Sequence, residues 1–291
     1  MTCPDSIHDC RAEGHSRLLY VAFGADQVAI GSSETAILER LQTTFQAMLT
    51  STPGHVVGDL RIVLRDGCYR LFVNNECTAE RISYNDLYPH VTHGVVEQFI
   101  HARPDLIWLH AGGVMHDNTA VVFAGPWGHG KSTLVMRLHE QGWAYLSDDV
   151  VPFDPRTHLL FPFPLTPRVR QASDEVLSRP QVGSLPKMTI EVRPGGVCRQ
   201  ALLLGGFIFP QYVPRSQTLL IPHTPAAAAA ELLRNCLSFV RHRETAVRAL
   251  CDLVQCVPIL RLTFADSQRA AELIEQAAVA FSRSGTGSHS P

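Results

Sequence analysis

A glycine-rich segment constrains the fold of this chain more than any other feature. Residues 125–133 read GPWGHGKST, which fits the pattern G-x-x-x-x-G-K-[ST]. An apolar, β-branched run precedes the segment at 119–124, and a helical pattern follows it from Ser132 to Gly142. A buried strand, a glycine loop and a helix N-terminus in this order form the setting in which such a segment binds phosphate. The sequence therefore predicts an α/β fold around a phosphate-binding P-loop core.

The residue types in the segment suit a nucleoside triphosphate. Glycines allow consecutive backbone N–H groups to turn toward phosphate oxygens, and the helix N-terminus adds partial positive charge. Lys131 can reach the β- and γ-phosphates, and the Ser132 hydroxyl can ligate Mg²⁺. Lysine is rare here, since Lys131 and Lys187 are the chain's two lysines and its other basic residues are arginines. The candidate nucleotide-binding residues are Gly125, Gly128, His129, Gly130, Lys131, Ser132 and Thr133.

A second apolar run ends in two carboxylates. The segment from Trp143 to Ser147 leads directly into Asp148 and Asp149. In a right-handed β-α-β unit this strand can lie beside the loop strand, with its C-terminal end facing the phosphates. One carboxylate can then hold Mg²⁺ while the other accepts a proton from an attacking hydroxyl. Which carboxylate does which stays open, because adjacent strand residues point to opposite faces. A solvated acid pair at a strand end is the alternative.

The order of these motifs resembles the catalytic domain of the HPr kinase/phosphorylase family and its shorter relatives. His110 ends a predicted strand, a hairpin follows, and then come the glycine segment, its helix and the strand ending in Asp148 and Asp149. The match is best over residues 106–165 and extends to about residue 265. The resemblance implies a core shared with phosphoenolpyruvate carboxykinases, ATP and Mg²⁺ as cofactors, and a protein or peptide serine as the phosphate acceptor. It also suggests a homo-oligomer.

The resemblance implies roles for individual residues as well. Lys131 and the amides of residues 128–133 would hold the β-phosphate, and Ser132 would bind Mg²⁺. One of Asp148 and Asp149 would be the general base and the other a metal ligand. His110 would lie beside the γ-phosphate, although a histidine satisfied by a backbone partner is an alternative reading. The predicted catalytic residues are therefore Asp148, Asp149, His110 and Lys131, and the predicted metal ligands are Ser132, Asp149 and Asp148.

Some residues depart from the family pattern. The chain has His110-Ala111-Gly112 where the family has His-Gly, and Thr133 where the full-length enzymes have an acid. We therefore do not expect phosphorylase activity. Chain length and the N-terminal region are more typical of the shorter relatives, which include kinases encoded with ribosomally made peptides such as lasso peptides. Trp127 either stacks on adenine or fills the base of the loop.

Composition limits the other functional classes. The net charge is −2 with no basic run, which argues against a nucleic-acid surface. No stretch approaches the ~20 apolar residues of a membrane span, and the N-terminus does not resemble a signal peptide, so we expect a cytoplasmic protein without membrane partners. The 8 cysteines are scattered without a C-x-x-C pattern, which favours reduced thiols.

The expected organisation has four parts. Residues 1–17 and 281–291 are predicted to be disordered, 18–90 to form an N-terminal accessory α+β region, and 91–280 to form the catalytic domain with C-terminal helices. Two other functions remain open. A small-molecule kinase or carboxykinase-like enzyme would use Arg168 and Arg170 to bind an anionic substrate, and a nucleotide-binding regulator would show little turnover.

Overall fold

A computed structural model of the chain describes residues 17–52, 54–170, 187–189, 192 and 196–284. Backbone contacts divide the chain into two units, Met1–Pro104 and Asp105–Pro291. Both units combine strands with helices, which confirms a mixed α/β protein. The sequence had placed the boundary at residues 90 and 91. In the structure, a helix that spans this point, Leu87–Ala102, packs on the strands of the first unit.

The first unit is a sheet with helices packed on it. Among its described residues, six strands pair in the order β3-β1-β2-β4-β5-β6. The strands are β1 (Leu18–Phe23), β2 (Asp26–Ser32), β3 (Leu49–Thr50), β4 (His55–Arg65), β5 (Cys68–Val73) and β6 (Glu76–Ile82). The helices are α1 (Thr35–Phe45), a short 3-10 turn (Gln46–Met48) and α2 (Leu87–Ala102). The Asp66-Gly67 pair between two strand patterns predicts a hairpin. The structure confirms it, and both residues have the positive φ that a tight two-residue turn requires.

The second unit is built on a larger sheet. Its described strands are β7 (Ile107–His116), β8 (Thr119–Ala124), β9 (Ala144–Ser147), β10 (Val150–Phe153), β11 (Leu159–Leu160), β12 (Arg168–Arg170), β13 (Lys187–Thr189), β14 (Leu202–Tyr212), β15 (Leu219–Pro222) and β16 (Ile259–Phe264). The main sheet has the order β11-β10-β7-β8-β14-β16-β15, with β9 also paired to β7. Strands β8, β14 and β16 are parallel, so their C-terminal ends share one edge. Strands β12 and β13 pair separately.

Helices cover both faces of the main sheet. Strand β8 is buried along its whole length, and its residues alternate between two apolar clusters. One cluster includes residues of α3 (Lys131–Glu140) and a C-terminal helix, Ser267–Ser284. The other cluster includes residues of α4 (Pro225–Arg234) and α5 (Phe239–Cys256). The Ser267–Ser284 helix is α6. Burial on both faces explains why residues 119–124 read as an uninterrupted apolar run.

Two sequence expectations about the C-terminal part are corrected. The sequence pattern from Ala226 to Phe239, preceded by Thr224 and Pro225, predicts one helix, but α4 ends at Arg234 and residues 235–238 leave the helix. Phe281 was assigned to a disordered tail, yet it lies in α6 and is buried. A Cβ atom on Gly206 would lie 2.5 Å from the Phe281 ring, so this glycine makes room for the aromatic side chain. The predicted disordered segments otherwise lie mostly outside the described residues.

Candidate functional site

The glycine segment joins β8 to α3 as the sequence predicts. Strand β8 ends at Ala124, and helix α3 begins at Lys131. Gly128 and Gly130 have φ values of 84° and 90°, which residues with a Cβ rarely adopt. A Cβ on Gly130 would also lie 2.5 Å from the Phe264 ring at the end of β16. The loop is therefore shaped by backbone conformation and by close packing against the C-terminal edge of the sheet.

Other loop residues are tied to the same sheet edge. His129 Nδ1 lies 3.2 Å from the carbonyl oxygen of Pro210 in β14. A Cβ on Gly125 would approach the same carbonyl oxygen at 3.7 Å. The side chain of Trp127 is half-exposed, and both predicted roles stay open. Ser132 and Thr133 are half-buried in the first turn of α3, where backbone N–H groups and the helix dipole are directed toward the loop.

The Lys131 side chain is buried, and its ammonium is directed inward. Nζ donates to the carbonyl oxygens of Gly125 at 2.7 Å and Pro126 at 3.2 Å, and it lies 3.3 Å from His110 Nε2. Burial lowers the pKa of Lys131 from an ordinary 10.5 to about 8, although the charges of Asp149 and Asp148 act in the opposite direction. Both carboxylates are therefore close enough to influence the lysine electrostatically.

His110 connects the lysine to the acid pair. Its Nδ1 lies 3.0 Å from the Asp149 carboxylate Oδ1 and 3.0 Å from the Asp149 backbone oxygen. Since an ammonium only donates, His110 Nε2 accepts from Lys131, and Nδ1 then carries the proton toward Asp149. The sequence placed His110 at the end of a strand, which is wrong, because β7 continues to His116. The predicted hairpin follows, with its turn at Asp117 and Asn118.

The acid pair lies in a bend beside β7, not beside the loop strand. Strands β9 and β10 pair successively along one edge of β7 with residues 113–115 and 107–110, and Asp148 and Asp149 form the bend between them. The predicted pairing with β8 is therefore wrong. The carboxylates still reach the loop, because the Ala111 N–H donates to Asp149 O at 3.1 Å and Ala111 lies opposite Ala124, the last residue of β8.

The two carboxylates have different surroundings. The side chain of Asp149 is 55% exposed, whereas Asp148 is only 8% exposed. The buried Tyr145 hydroxyl lies 3.1 Å from Asp148 Oδ1 and 2.6 Å from the carbonyl oxygen of Leu165, so it is shared between two acceptors. Sequence reasoning did not identify Tyr145 as part of the site. An aromatic residue in a buried strand is usually a packing residue, and nothing local indicates its hydroxyl partner.

A further segment flanks the site on the other edge of β7. Where β8 ends, the link between α4 and α5 takes its place: His110 N–H donates to Asn235 O at 2.7 Å, and Leu237 N–H donates to Trp108 O at 2.8 Å. The Ser238 hydroxyl accepts from the Trp108 N–H at 3.1 Å. This segment, residues 235–238, was hidden in the sequence because it looks like continuous helix.

Two remaining expectations concern metals and arginines. Within the described part of the chain, no group of three His, Cys, Asp or Glu side chains is arranged to hold a metal ion. Arg168 and Arg170 lie in β12, whose backbone pairs with β13.

None of the helices described is long and apolar enough to cross a membrane.

Neither a protein-family model nor a curated protein sequence matches the chain. Among solved structures, it is similar to the Hpr(Ser) kinase/phosphatase from Coxiella burnetii, with 14% sequence identity over 62% of this chain and 99% of that chain. The TM-score is 0.34, so the HPr kinase-like family stays a hypothesis for this chain.

Proposed function

We propose that this protein is an ATP-dependent phosphotransferase that transfers the γ-phosphate to a serine hydroxyl of a protein or peptide. The observation that carries the proposal is a connected set of groups beside the glycine loop. Lys131 contacts His110, His110 contacts Asp149, and Asp148 follows in the same bend. A lysine and two carboxylates next to a glycine loop at a helix N-terminus are groups that phosphoryl transfer uses, and His110 connects the lysine to one of the carboxylates.

The residues present fit a nucleotide. Gly128 has open space around its Cβ position, and α3 directs its first N–H groups toward the loop. Lys131 currently donates to two loop carbonyls and His110, and phosphate oxygens would replace these acceptors. The phosphate would place negative charge beside a buried ammonium. This charge would offset the cost of burial that lowers the pKa of Lys131.

The residues also fit Mg²⁺ in the way this ion is usually held. Magnesium commonly takes one or two carboxylates together with phosphate oxygens and waters, rather than a closed cage of protein ligands. Ser132 and Asp148 would hold it, since Asp148 is the buried carboxylate of the pair. When bound, the ion would neutralise negative charge on the transferred phosphoryl group.

Asp149 is the better candidate for the general base. Its carboxylate is the exposed one, so an acceptor hydroxyl arriving from solvent can reach it. His110 Nδ1 contacts both the Asp149 carboxylate and its backbone oxygen and so fixes the orientation of the carboxylate. Asp149 would take the proton of the serine hydroxyl, while Lys131 and the loop amides stabilise charge on the phosphate.

Transfer of label from γ-labelled ATP tests the proposal. We expect wild-type protein with Mg²⁺ to label a serine in candidate acceptor peptides or proteins, and the Asp149→Asn variant to lose at least ~100-fold in rate, as removal of a general base usually does. Asp117→Asn is the matched control, because Asp117 lies in the turn at the far end of β7 and accommodates asparagine at its positive φ.

The outcomes separate the rival functions. Label on a small molecule, with none on any protein or peptide, would support the small-molecule kinase. Nucleotide binding without turnover on any acceptor would support the regulator. Equal activity of the Asp149→Asn and Asp117→Asn variants would overturn the assignment of Asp149, and absence of ATP binding would overturn the proposed function as a whole.

A further inference from the structure

We infer that the link between α4 and α5 is the docking surface for the acceptor. It binds a peptide segment that has an apolar residue near the acceptor serine and acidic residues further from the serine. This inference rests on the proposed function and specifies its substrate. The docking surface consists of Leu237, Val240, Arg241 and Arg243.

Its position follows from the pairing along β7. The segment 235–238 bonds to one edge of β7 at His110, and Asp149 bonds to the other edge at Ala111. Neighbouring strands lie ~4.8 Å apart, so the segment and Asp149 are separated by about 10 Å across β7. An extended peptide advances ~3.3 Å per residue, so a side chain that contacts Leu237 would lie about three residues from a serine at Asp149.

The apolar part of the surface is unusually exposed. Leu237 is 46% exposed, and Val240 is 80% exposed three residues later. Single exposed apolar residues are common, but Leu237 donates its backbone N–H to Trp108, two residues from His110, and Val240 follows it closely in the chain. Their burial by an apolar side chain of the acceptor would stabilise the complex without involving the phosphate-transfer groups.

The charged part of the surface identifies the partner as acidic. Arg241 and Arg243 are exposed at the start of α5, and the first turn of this helix has no acidic residue. His242, between the two arginines, has a non-helical backbone (φ −118°, ψ 16°), so the arginines flank a kink in α5 and each adds a positive charge there. Glu244, the next carboxylate along α5, pairs with Arg248 at 3.1 Å. Because the whole chain carries a net charge of −2, the positive surface is a local property.

Direct binding of defined peptides to the full chain tests the inference. The probes are fluorescent synthetic peptides with one serine, a leucine three positions away and glutamates beyond it, on the N-terminal side in one set and the C-terminal side in the other. Matched peptides carry lysines in place of the glutamates. We expect one glutamate set to bind at least tenfold more tightly than its lysine counterpart, with a preference that weakens at high salt.

Variants distinguish the docking surface from general surface effects. Leu237→Glu and Arg243→Glu are each expected to weaken binding of the preferred peptide about tenfold, as loss of a central contact often does. Val247→Glu is the control, because Val247 is also exposed on α5 but lies further along the helix. Circular dichroism of each variant checks that the helix is retained.

Each result has a defined meaning. Equal binding of glutamate and lysine peptides, or equal losses in Leu237→Glu and Val247→Glu, would overturn the docking surface even if phosphate transfer occurs. Selective binding without transfer of label would keep the docking surface and overturn the hydroxyl kinase. If sedimentation shows that wild type dimerises and Leu237→Glu does not, the surface joins two copies of the chain and the inference is wrong.

Discussion

Replacement of Lys131 by methionine should change how the stability of this protein depends on pH. Methionine has a similar length and suits an apolar environment, but it carries no charge. In the structure, burial lowers the pKa of Lys131 to about 8, against an ordinary 10.5 in an unfolded chain. The folded protein thus holds a buried ammonium at neutral pH at a cost in stability, and the Lys131→Met variant removes that cost.

The sign and size of this change in the pH dependence of stability follow from proton linkage. Between pH 8 and pH 10.5 the unfolded chain binds more protons at Lys131 than the folded protein does, so wild-type stability rises with pH in this window. The penalty is present in full below the folded-state pKa and is relieved as the pH approaches the unfolded-state value. At 1.36 kcal/mol per pKa unit, wild type should gain ~2 kcal/mol relative to Lys131→Met between pH 7 and pH 9.5.

Urea unfolding followed by tryptophan fluorescence measures this difference. Trp108, Trp127 and Trp143 all belong to the second unit, so the signal reports the unit that contains Lys131. Other groups that titrate over this range are common to both proteins and cancel in the comparison. The lost hydrogen bonds to the two loop carbonyls contribute a pH-independent offset.

Parallel pH profiles would refute the reasoning. If the stability difference between wild type and Lys131→Met stays constant within ~0.5 kcal/mol from pH 7 to pH 9.5, the lysine is not held charged in a low-dielectric setting. The expected replacement of loop carbonyls by phosphate oxygens would then lose its physical basis.

Two further substitutions test the geometry around the site. Gly130→Ala should destabilise the second unit by roughly 3 kcal/mol, because the new methyl group is strained at a positive φ and collides with Phe264. Gly128→Ala has the same backbone strain but meets open space, so it should cost only ~1 kcal/mol. Equal urea unfolding midpoints for the two variants would contradict this. Tyr145→Phe should lower the free energy of unfolding by ~1–3 kcal/mol, because it removes the hydroxyl that the buried Asp148 carboxylate and the Leu165 carbonyl share. Tyr212→Phe is the control and should change stability little, because Tyr212 is exposed. Unchanged stability of Tyr145→Phe would show that the hydroxyl is dispensable.

Local patterns predicted the elements of this fold better than their pairing. The sequence predicted three elements correctly: the strand at 119–124, the helix that begins at the glycine loop and the Asp66-Gly67 hairpin. The spacing of apolar residues, the turn residues and the capping residues that indicate these elements all act within a few positions. Asp266 likewise caps α6, where its carboxylate accepts from the Gln268 N–H at 2.8 Å. These signals set the order of elements along the chain.

The site depended on interactions that no local pattern records. The acid strand pairs with β7 and not, as predicted, with β8, and the sequence pattern does not distinguish the two strands because both are apolar. The link at 235–238 reads as helix until its pairing with β7 is known. The structure nevertheless brings His110, Lys131 and Asp149 into contact, and their functional roles stay predictions.

Strand β7 binds both flanking segments of the site through adjacent backbone amides. The amides of His110 and Ala111 are neighbours along the backbone, yet one is bonded to residue 235 and the other to residue 149. In native-state hydrogen exchange these two amides would report separately on the two flanks of the site, from adjacent positions in the chain. If both exchange only on global unfolding, the acid bend and the α4–α5 link are fixed together, and any opening that admits an acceptor must occur in the side chains.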